Sequence, residues 1–311
     1  FQAEDGIRDR SPSRGLGDVY KRQDVLLNRE ELIRELEIRS ESYILRFDKA
    51  LIKVFDNHQW SSFHEPLLYA THGGKRIRPL ILMLAAEAVG VPSTKTDLAS
   101  VAVELLHTES IIHDDIIDEQ TKRRDRDSFH KRYGNNTSIL TADFVFGIIL
   151  EIASRYNDPR VAKELSLAAI KMCEGEQREL SMNSREVPWV EYLTVISEKT
   201  AALFQTSSKL GAIIGGGNEE EIDGLAGFGV NLGIAYQIHD DILDWETDKK
   251  FSNDMNMDNE IQENEYITLT KLKEMANVYA ENAKNSLDVI KDSEQKEFLH
   301  DLADFTIRRD Y

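Results

Sequence analysis

An all-α fold, a single-domain bundle of ten or more helices packed about a common centre, follows from three features of the sequence. Apolar residues recur at i, i+3, i+4 and i+7 over long stretches. Prolines are sparse, and alternating strands around Asn-Gly or Asp-Gly turns are missing. After residue 23 only Pro66, Pro79, Pro92, Pro159 and Pro188 interrupt the chain, so long helices can run between them.

Residues 1–23 stand apart from the rest. They are rich in Gly, Arg and Ser, carry no apolar period and lack the continuous apolar stretch of a secretory signal. They read as a non-native, adapter-derived leader, which leaves 24–311 as one domain. Gly73-Gly74 punctuates the first helices, and Leu80 to Ala86 is the longest apolar run. That run is far short of the ~20 residues a bilayer demands, so no transmembrane segment is expected. Segment 98–122 sets Leu98, Val101, Leu105, Thr108 and Ile112 on one helical stripe. Gly215-Gly216-Gly217 is the next break. Segment 225–246 repeats the pattern with Phe228, Leu232, Ala235, Ile238 and Ile242.

Acidic residues outnumber basic ones 56 to 38 in 311, for a net charge of −18. A general nucleic-acid binder needs a basic surface to displace phosphate counterions, so that class is excluded. The single cysteine, Cys173, permits no internal disulfide and suits a reducing compartment; a cytoplasmic protein and a buried, inert thiol are expected.

Two near-identical pentapeptides carry the chemistry. Asp114-Asp115-Ile116-Ile117-Asp118 follows His113, and Asp240-Asp241-Ile242-Leu243-Asp244 follows His239. Each sets aspartates at i and i+4, one turn apart on one helical face. Like charges at that spacing repel, and the surrounding Ile111, Ile112, Ile238, Ile242 and Leu243 predict burial. An unpaired buried carboxylate costs several kcal/mol or takes up a proton. A solvated acidic face would explain one such pentapeptide; two in apolar surroundings call for shared counter-charges. Hard divalent cations, Mg²⁺ above all, are the natural ones. Magnesium held by few carboxylates keeps positions open for phosphate oxygens, so a diphosphate ligand is expected.

Such a ligand also needs cations from the protein. Gly73-Gly74-Lys75-Arg76-Ile77-Arg78-Pro79 offers three on a glycine-led turn into a helix, where backbone and helix end both favour an anion. Arg123-Arg124 follows the first pentapeptide, and arginine's fork suits phosphate oxygens. His107 lies two turns before Asp114 on the same face, where a core histidine is the plainer reading of the residue taken alone.

The combination GGKRIRP, HDDIID followed by RR, SEKTAALF and YQIHDDILD resembles the trans-isoprenyl diphosphate synthases, from about residue 24 to the C-terminus. The resemblance implies an all-α fold with a deep central cavity and the two acidic clusters facing each other across its mouth. It implies Mg²⁺ as cofactor, and isopentenyl diphosphate and an allylic diphosphate as substrates. Ionisation of the allylic diphosphate and attack by the isopentenyl double bond give the head-to-tail, trans product. Homodimerisation is also the family's habit. Matched position by position, Lys75, Arg78, His107 and Arg124 would bind isopentenyl diphosphate. Arg123, Lys199, Thr200 and Gln237 would meet the allylic diphosphate, with Lys249 matching a further diphosphate contact. The metal set would be Asp114, Asp115, Asp118, Asp240, Asp241 and Asp244. Asp114, Asp118, Asp240 and Lys199 are the catalytic candidates. Gln177 also matches a family position.

The sequence departs from the pattern in three places. Asp125 stands where the family has glycine, the second lysine after the second cluster is missing, and the chain reads about one helix short between Asp254 and Lys271. In the family, bulk at the fourth and fifth residues before the first cluster limits product length. Here those are Ser110 and Glu109, neither aromatic, so a geranylgeranyl or longer product is expected. A cavity floor near Glu104 and Leu105 is the alternative. Three other functions stay open: a non-catalytic subunit of a hetero-oligomeric prenyl synthase, a class I terpene cyclase, and a metal-dependent phosphohydrolase. Asn253-Asp254 opens the cyclase's second metal motif, but Asp258 and Asn259 do not complete it.

Overall fold

A computed structural model describes residues 29–123, 125–182, 188–251 and 269–309. Among them the chain forms α1 (Arg29–Asp56), α2 (His64–Ala70), α3 (Ile77–Val89) and α4 (Thr94–Ile117). A two-stranded ladder of β1 (Lys122–Arg123) and β2 (Arg126–Asp127) follows, then α5 (Phe129–Tyr133), α6 (Asn135–Ser154) and α7 (Pro159–Ser181). The chain continues with α8 (Trp189–Ile196), a π-helical turn (Ser197–Ala201), α9 (Ala202–Gly215) and α10 (Glu219–Phe251). It closes with α11 (Leu269–Asn285) and α12 (Glu294–Thr306).

Three helices make the centre. Helix α3 is apolar on every side, with Leu80 to Ala86 all buried, so it must be enclosed by its neighbours. It packs against α4, α9 and α12. Ser93 caps α4 by accepting a hydrogen bond from the Thr96 amide at 3.2 Å, and Ala99 to Leu106 fill the interior from there. Asp158 with Pro159 starts α7, and Ser293 starts α12. One core cluster joins α1, α4, α6 and α7; a second joins α3, α9, α10 and α12. A third, smaller cluster of Ile196, Ala201, Ile234, Ile238, Ile242, Leu272 and Ala276 lies beneath the second acidic pentapeptide.

Three expectations are corrected here. The helix read over 98–122 stops at Ile117, because Glu119 turns left-handed at φ 51° and the Gln120 amide closes back on the Asp115 carbonyl at 3.0 Å. The chain then makes the small antiparallel ladder instead of continuing as helix. Its turn holds Asp125 at φ 60°, in the left-handed region where aspartate is one of the few tolerated side chains, so the glycine of the family pattern is not required. The last correction concerns length and hydropathy. Helix α6, at 20 residues and mean hydropathy 1.6, is long and apolar enough by composition to cross a bilayer, yet 44% of that window is buried in the fold, and Asp143 and Glu151 interrupt it.

Candidate active site

The first pentapeptide ends α4 and splits its carboxylates between two surroundings. Asp114 opens on a cavity, and burial pushes its carboxyl up to about 7 against the opposing pull of Lys199. Glu176 and Asp118 add to the rise. Asp118, just past the helix end, is exposed. Asp115 lies about 100° round the helix and is 1% exposed; there Arg123 Nε donates to its Oδ1 at 2.7 Å. Asp115 is thereby tied to the β1–β2 hairpin, away from Asp114.

The second pentapeptide lies on α10 and divides the same way. Asp240 pairs with Arg309 at 2.7 Å, and burial raises its carboxyl against the field of that arginine and of Lys75. Asp244 is exposed one turn on. Asp241 accepts from the Tyr192 hydroxyl at 2.5 Å and from Gln237 Nε2 at 2.9 Å, and burial pushes it up to about 6. Thr200 Oγ1 donates to Gln237 Oε1 at 2.9 Å, so Thr200, Gln237 and Asp241 form one chain of contacts.

The π turn joins the two halves. Its residue Lys199 bears electrostatically on Asp114, while the next residue, Thr200, bonds Gln237 below the second pentapeptide. A π turn carries an extra residue per turn and recurs at functional sites. Two glycines let it sit there: a Cβ on Gly175 would come within 2.5 Å of the Lys199 amide nitrogen, and one on Gly233 within 2.6 Å of the Ala201 Cα. Lys199 itself pairs with Glu176 at 2.6 Å and with Glu179.

A small cavity of about 220 Å³ is lined by Lys75, Arg76, Arg78, Glu104, His107 and Tyr236, among others. Gly73 and Gly74, at φ 75° and 98°, turn the chain into it. Of the three cations expected there, Arg76 is already committed: it bonds Glu104 at 2.6 Å and the Thr71 carbonyl. Arg78 lies over the Phe204 ring at 4.6 Å, and its Nε is sealed from solvent with no hydrogen-bond partner among the described residues. A buried donor left unsatisfied costs about 1–3 kcal/mol, which an anion in the cavity would relieve.

A larger cavity of about 580 Å³ opens beneath Asp114 between α4, α6 and α7. Leu106, Ser110, Phe146, Ala169 and Met172 give it apolar walls, and Gln177 and Lys199 lie toward its mouth. Glu109 lines it too, paired with His113 at 3.2 Å; the Glu109 carboxylate holds His113 above its ordinary value. Glu104 is no part of this wall, since it turns to Arg76, and Leu105 is packed in the core, so the floor falls to Leu106 with Ala169 and Phe146. Cys173 faces the cavity and is exposed, not buried as expected; partial burial and nearby carboxylates raise its thiol.

Arg124, the Lys249 side chain and residues 252–268 lie outside the described residues, and with them the altered loop, the missing helix and the cyclase pattern. Among the described residues no three His, Cys, Asp or Glu side chains converge closely enough to hold a metal by themselves. Four contributors escaped the sequence reading: Glu176, Tyr192, Tyr236 and Arg309. Tyr236 opens YQIHDDILD and could have been singled out; the others reach the site only through long-range packing.

Comparison with known proteins matches residues 61–303 to the family model described as polyprenyl synthetase. A geranylgeranyl diphosphate synthase of Methanosarcina mazei is 33% identical over 281 residues, covering 77% of this chain and 87% of that protein. Among solved structures, the geranylgeranyl pyrophosphate synthetase of Pyrococcus horikoshii superimposes with a TM-score of 0.79 at 29% identity, over 89% of this chain and 99% of that one. A polyprenyl synthase from Caulobacter crescentus, complexed with calcium and isoprenyl diphosphate, gives a TM-score of 0.76 at 26% identity, over 90% and 98%. With its all-α fold and its prenyl synthase relatives, the chain belongs to the polyprenyl synthetase family and is a trans-prenyltransferase.

Proposed function

We propose that the protein condenses isopentenyl diphosphate with an allylic diphosphate, head to tail and trans, giving a geranylgeranyl or longer product. One observation carries this reading: two acidic pentapeptides flank a single Lys199-Thr200 turn, with an apolar cavity directly beneath Asp114.

The donor set fits magnesium. Two of its carboxylates, Asp114 and Asp240, have their proton affinity raised by burial, and a divalent cation would offset that penalty. Asp114, Asp118, Asp240 and Asp244 would hold it; Asp115 and Asp241, each bound to a protein donor, would orient the motifs. Bound there, Mg²⁺ would neutralise charge on a departing diphosphate. Lys199 adds a cation beside Asp114, and Arg123 stands at the hairpin rim. Lys75, Arg78 and His107 would hold isopentenyl diphosphate in the basic cavity, where the unsatisfied Nε of Arg78 meets a phosphate oxygen. Leu106, Phe146, Ala169 and Met172 would enclose the prenyl tail and exclude the water that quenches an allylic cation. The departing diphosphate is the base for the final proton. No aromatic ring stands at Ser110 or Glu109, and Leu106 lies roughly 12 Å below Asp114 along the helix at 1.5 Å per residue. It is the lack of a ring at those two positions, not this depth, that supports the longer product.

The partner we propose is a second copy of the chain. Ile139, Phe146 and Leu150 are 40–53% exposed along one stripe of α6, Leu140 is 55% exposed beside it, and Ile170 and Leu180 are exposed on α7. A contiguous apolar face of this kind marks a protein interface.

Incubation with isopentenyl diphosphate, each allylic primer and MgCl₂, with products sized by chromatography, tests the reading. A prenyl diphosphate of twenty or more carbons is expected. No consumption of isopentenyl diphosphate by the purified protein with any primer overturns it in favour of a non-catalytic subunit.

A further inference from the structure

Arg309 is the largest side chain sealed in the interior, 1% exposed, although it follows the last turn of α12. Among the described residues, the groups it bonds or stacks on belong to the second acidic pentapeptide or its approach, apart from one carbonyl. Its Nη2 pairs with Asp240 Oδ1 at 2.7 Å and donates to the Tyr236 carbonyl at 2.9 Å. Its Nε donates to the Thr306 carbonyl at 3.2 Å, and its guanidinium lies 3.8 Å from the Tyr236 ring centroid. Its own backbone carbonyl accepts from His239 Nε2 at 2.7 Å. One residue thus grips positions 236, 239 and 240 at once.

Burial of this kind fixes which partner leads. The guanidinium is held by two carbonyls and a ring that do not depend on Asp240, whereas the Asp240 side chain is 34% exposed. The arginine is the post and the carboxylate leans on it. Tyr236, which lines the basic cavity, in turn packs at a tilt against Phe204 at 5.2 Å, and Arg78 lies over the Phe204 ring, so the post is braced from that side. Carboxylates that ligate metals are oriented by outer hydrogen-bond donors, and losing such a donor typically costs 10–100-fold in metal affinity.

We propose that Arg309 is a positioning residue for the trans-prenyltransferase site: it fixes one oxygen of Asp240 so that the carboxylate presents a single, preset orientation to the metal–diphosphate group. This rests on the reading of Asp240 as a metal ligand. A latch that blocks Asp240 until metal displaces it is the opposite reading of the same contact, and the two differ in sign.

The test is calorimetric titration of MgCl₂ into protein with inorganic diphosphate present, for wild type, Asp240→Asn, Arg309→Ala and Arg309→Lys. Wild type binds, Asp240→Asn binds little, and Arg309→Ala shows a dissociation constant for Mg²⁺ raised about tenfold or more. Arg309→Lys, which returns the charge without the fork, recovers much of that loss. Melting and circular dichroism check the fold; if the alanine protein does not fold, Arg309→Gln takes its place. Affinity equal to or tighter than wild type in the uncharged variants overturns the proposal and supports the latch. A lysine variant as weak as the alanine one assigns the loss to packing and also overturns it. No metal–diphosphate binding by wild type sinks the metal-site reading itself, an outcome distinct from both.

Discussion

Asp114 holds its proton up to about pH 7 because burial outweighs the field of Lys199. The sign of its effect on stability follows. A carboxyl whose folded value lies above its unfolded one binds more protons folded, so the metal-free protein is destabilised as pH rises from about 4 through 7 and the penalty is constant above that. Asp114→Asn removes the penalty. The variant should melt several degrees above wild type at pH 8 without metal, with the gap narrowing toward pH 4, and it should abolish turnover. An equal melting point at pH 8 would show that Asp114 is solvated. Turnover of the wild type should fall as pH drops below 7, because the form that binds metal is then depleted; Asp241, near 6, adds to the fall. At this scale the i, i+4 spacing was legible, since a helical repeat alone puts Asp114 with Asp118 and Asp240 with Asp244. Asp115 and Asp241 do not share that spacing: residues one apart on a helix face directions about 100° apart, and these two are bound by Arg123, Tyr192 and Gln237. Tyr192 and Arg309 could not be read, because nothing in a local pattern announces a contact between distant segments.

The π turn is the element on which the site depends, and its glycine clamps make it testable. Gly175→Ala places a methyl 2.5 Å from the Lys199 amide, against backbone that cannot yield as a side-chain tip can. Overpacking of this sort costs typically about 1–3 kcal/mol. The turn should shift, Lys199 should move away from Asp114, and turnover should fall at least about tenfold, one such factor per 1.4 kcal/mol of lost positioning. Unchanged turnover in a folded Gly175→Ala protein would detach the turn from catalysis. SEKTAALF was recognisable as a motif, yet nothing in its residues distinguishes a π turn from an α turn; the neighbouring helices impose it. Helix α4 shows the converse. Its apolar stripe was plain, its end was not, because the stop is set by the left-handed Glu119 and the hairpin beyond. That helix also carries the length-determining wall. Glu109 is tolerable beside a prenyl tail because His113 neutralises it. Glu109→Phe removes the pair and inserts a ring just over a turn below Asp114, so the main product should lose at least one isoprene unit. An unaltered product would show that the Glu109 position does not meet the growing tail.

At the scale of the whole molecule, the larger cavity is open on one side among the described residues. Phe146, Ile170 and Leu180 line it and are also 40%, 58% and 56% exposed, so a prenyl chain in one copy of the protein would lie partly against solvent. Water entering through that side would reach the allylic cation at the diphosphate end and trap it, so the chemistry requires that side to be closed. A second copy docking on α6 would close it, burying Ile139, Leu140 and Leu150 at the same time. Those three do not line the cavity, which lets the interface be separated from the site. Leu140→Glu combined with Leu150→Glu puts two charges into the proposed contact of a chain already at −18, where an unpaired buried charge costs several kcal/mol. Sedimentation should show the wild type at twice the chain mass and the double variant at one. Since Asp114, Lys199 and Asp240 are untouched, the monomer should still ionise allylic diphosphate, but a larger share should leave as the allylic alcohol and less as elongated product. A wild type that sediments as a single chain at micromolar concentration, yet elongates without releasing alcohol, would show that one copy seals its own cavity and that the apolar face of α6 meets something else.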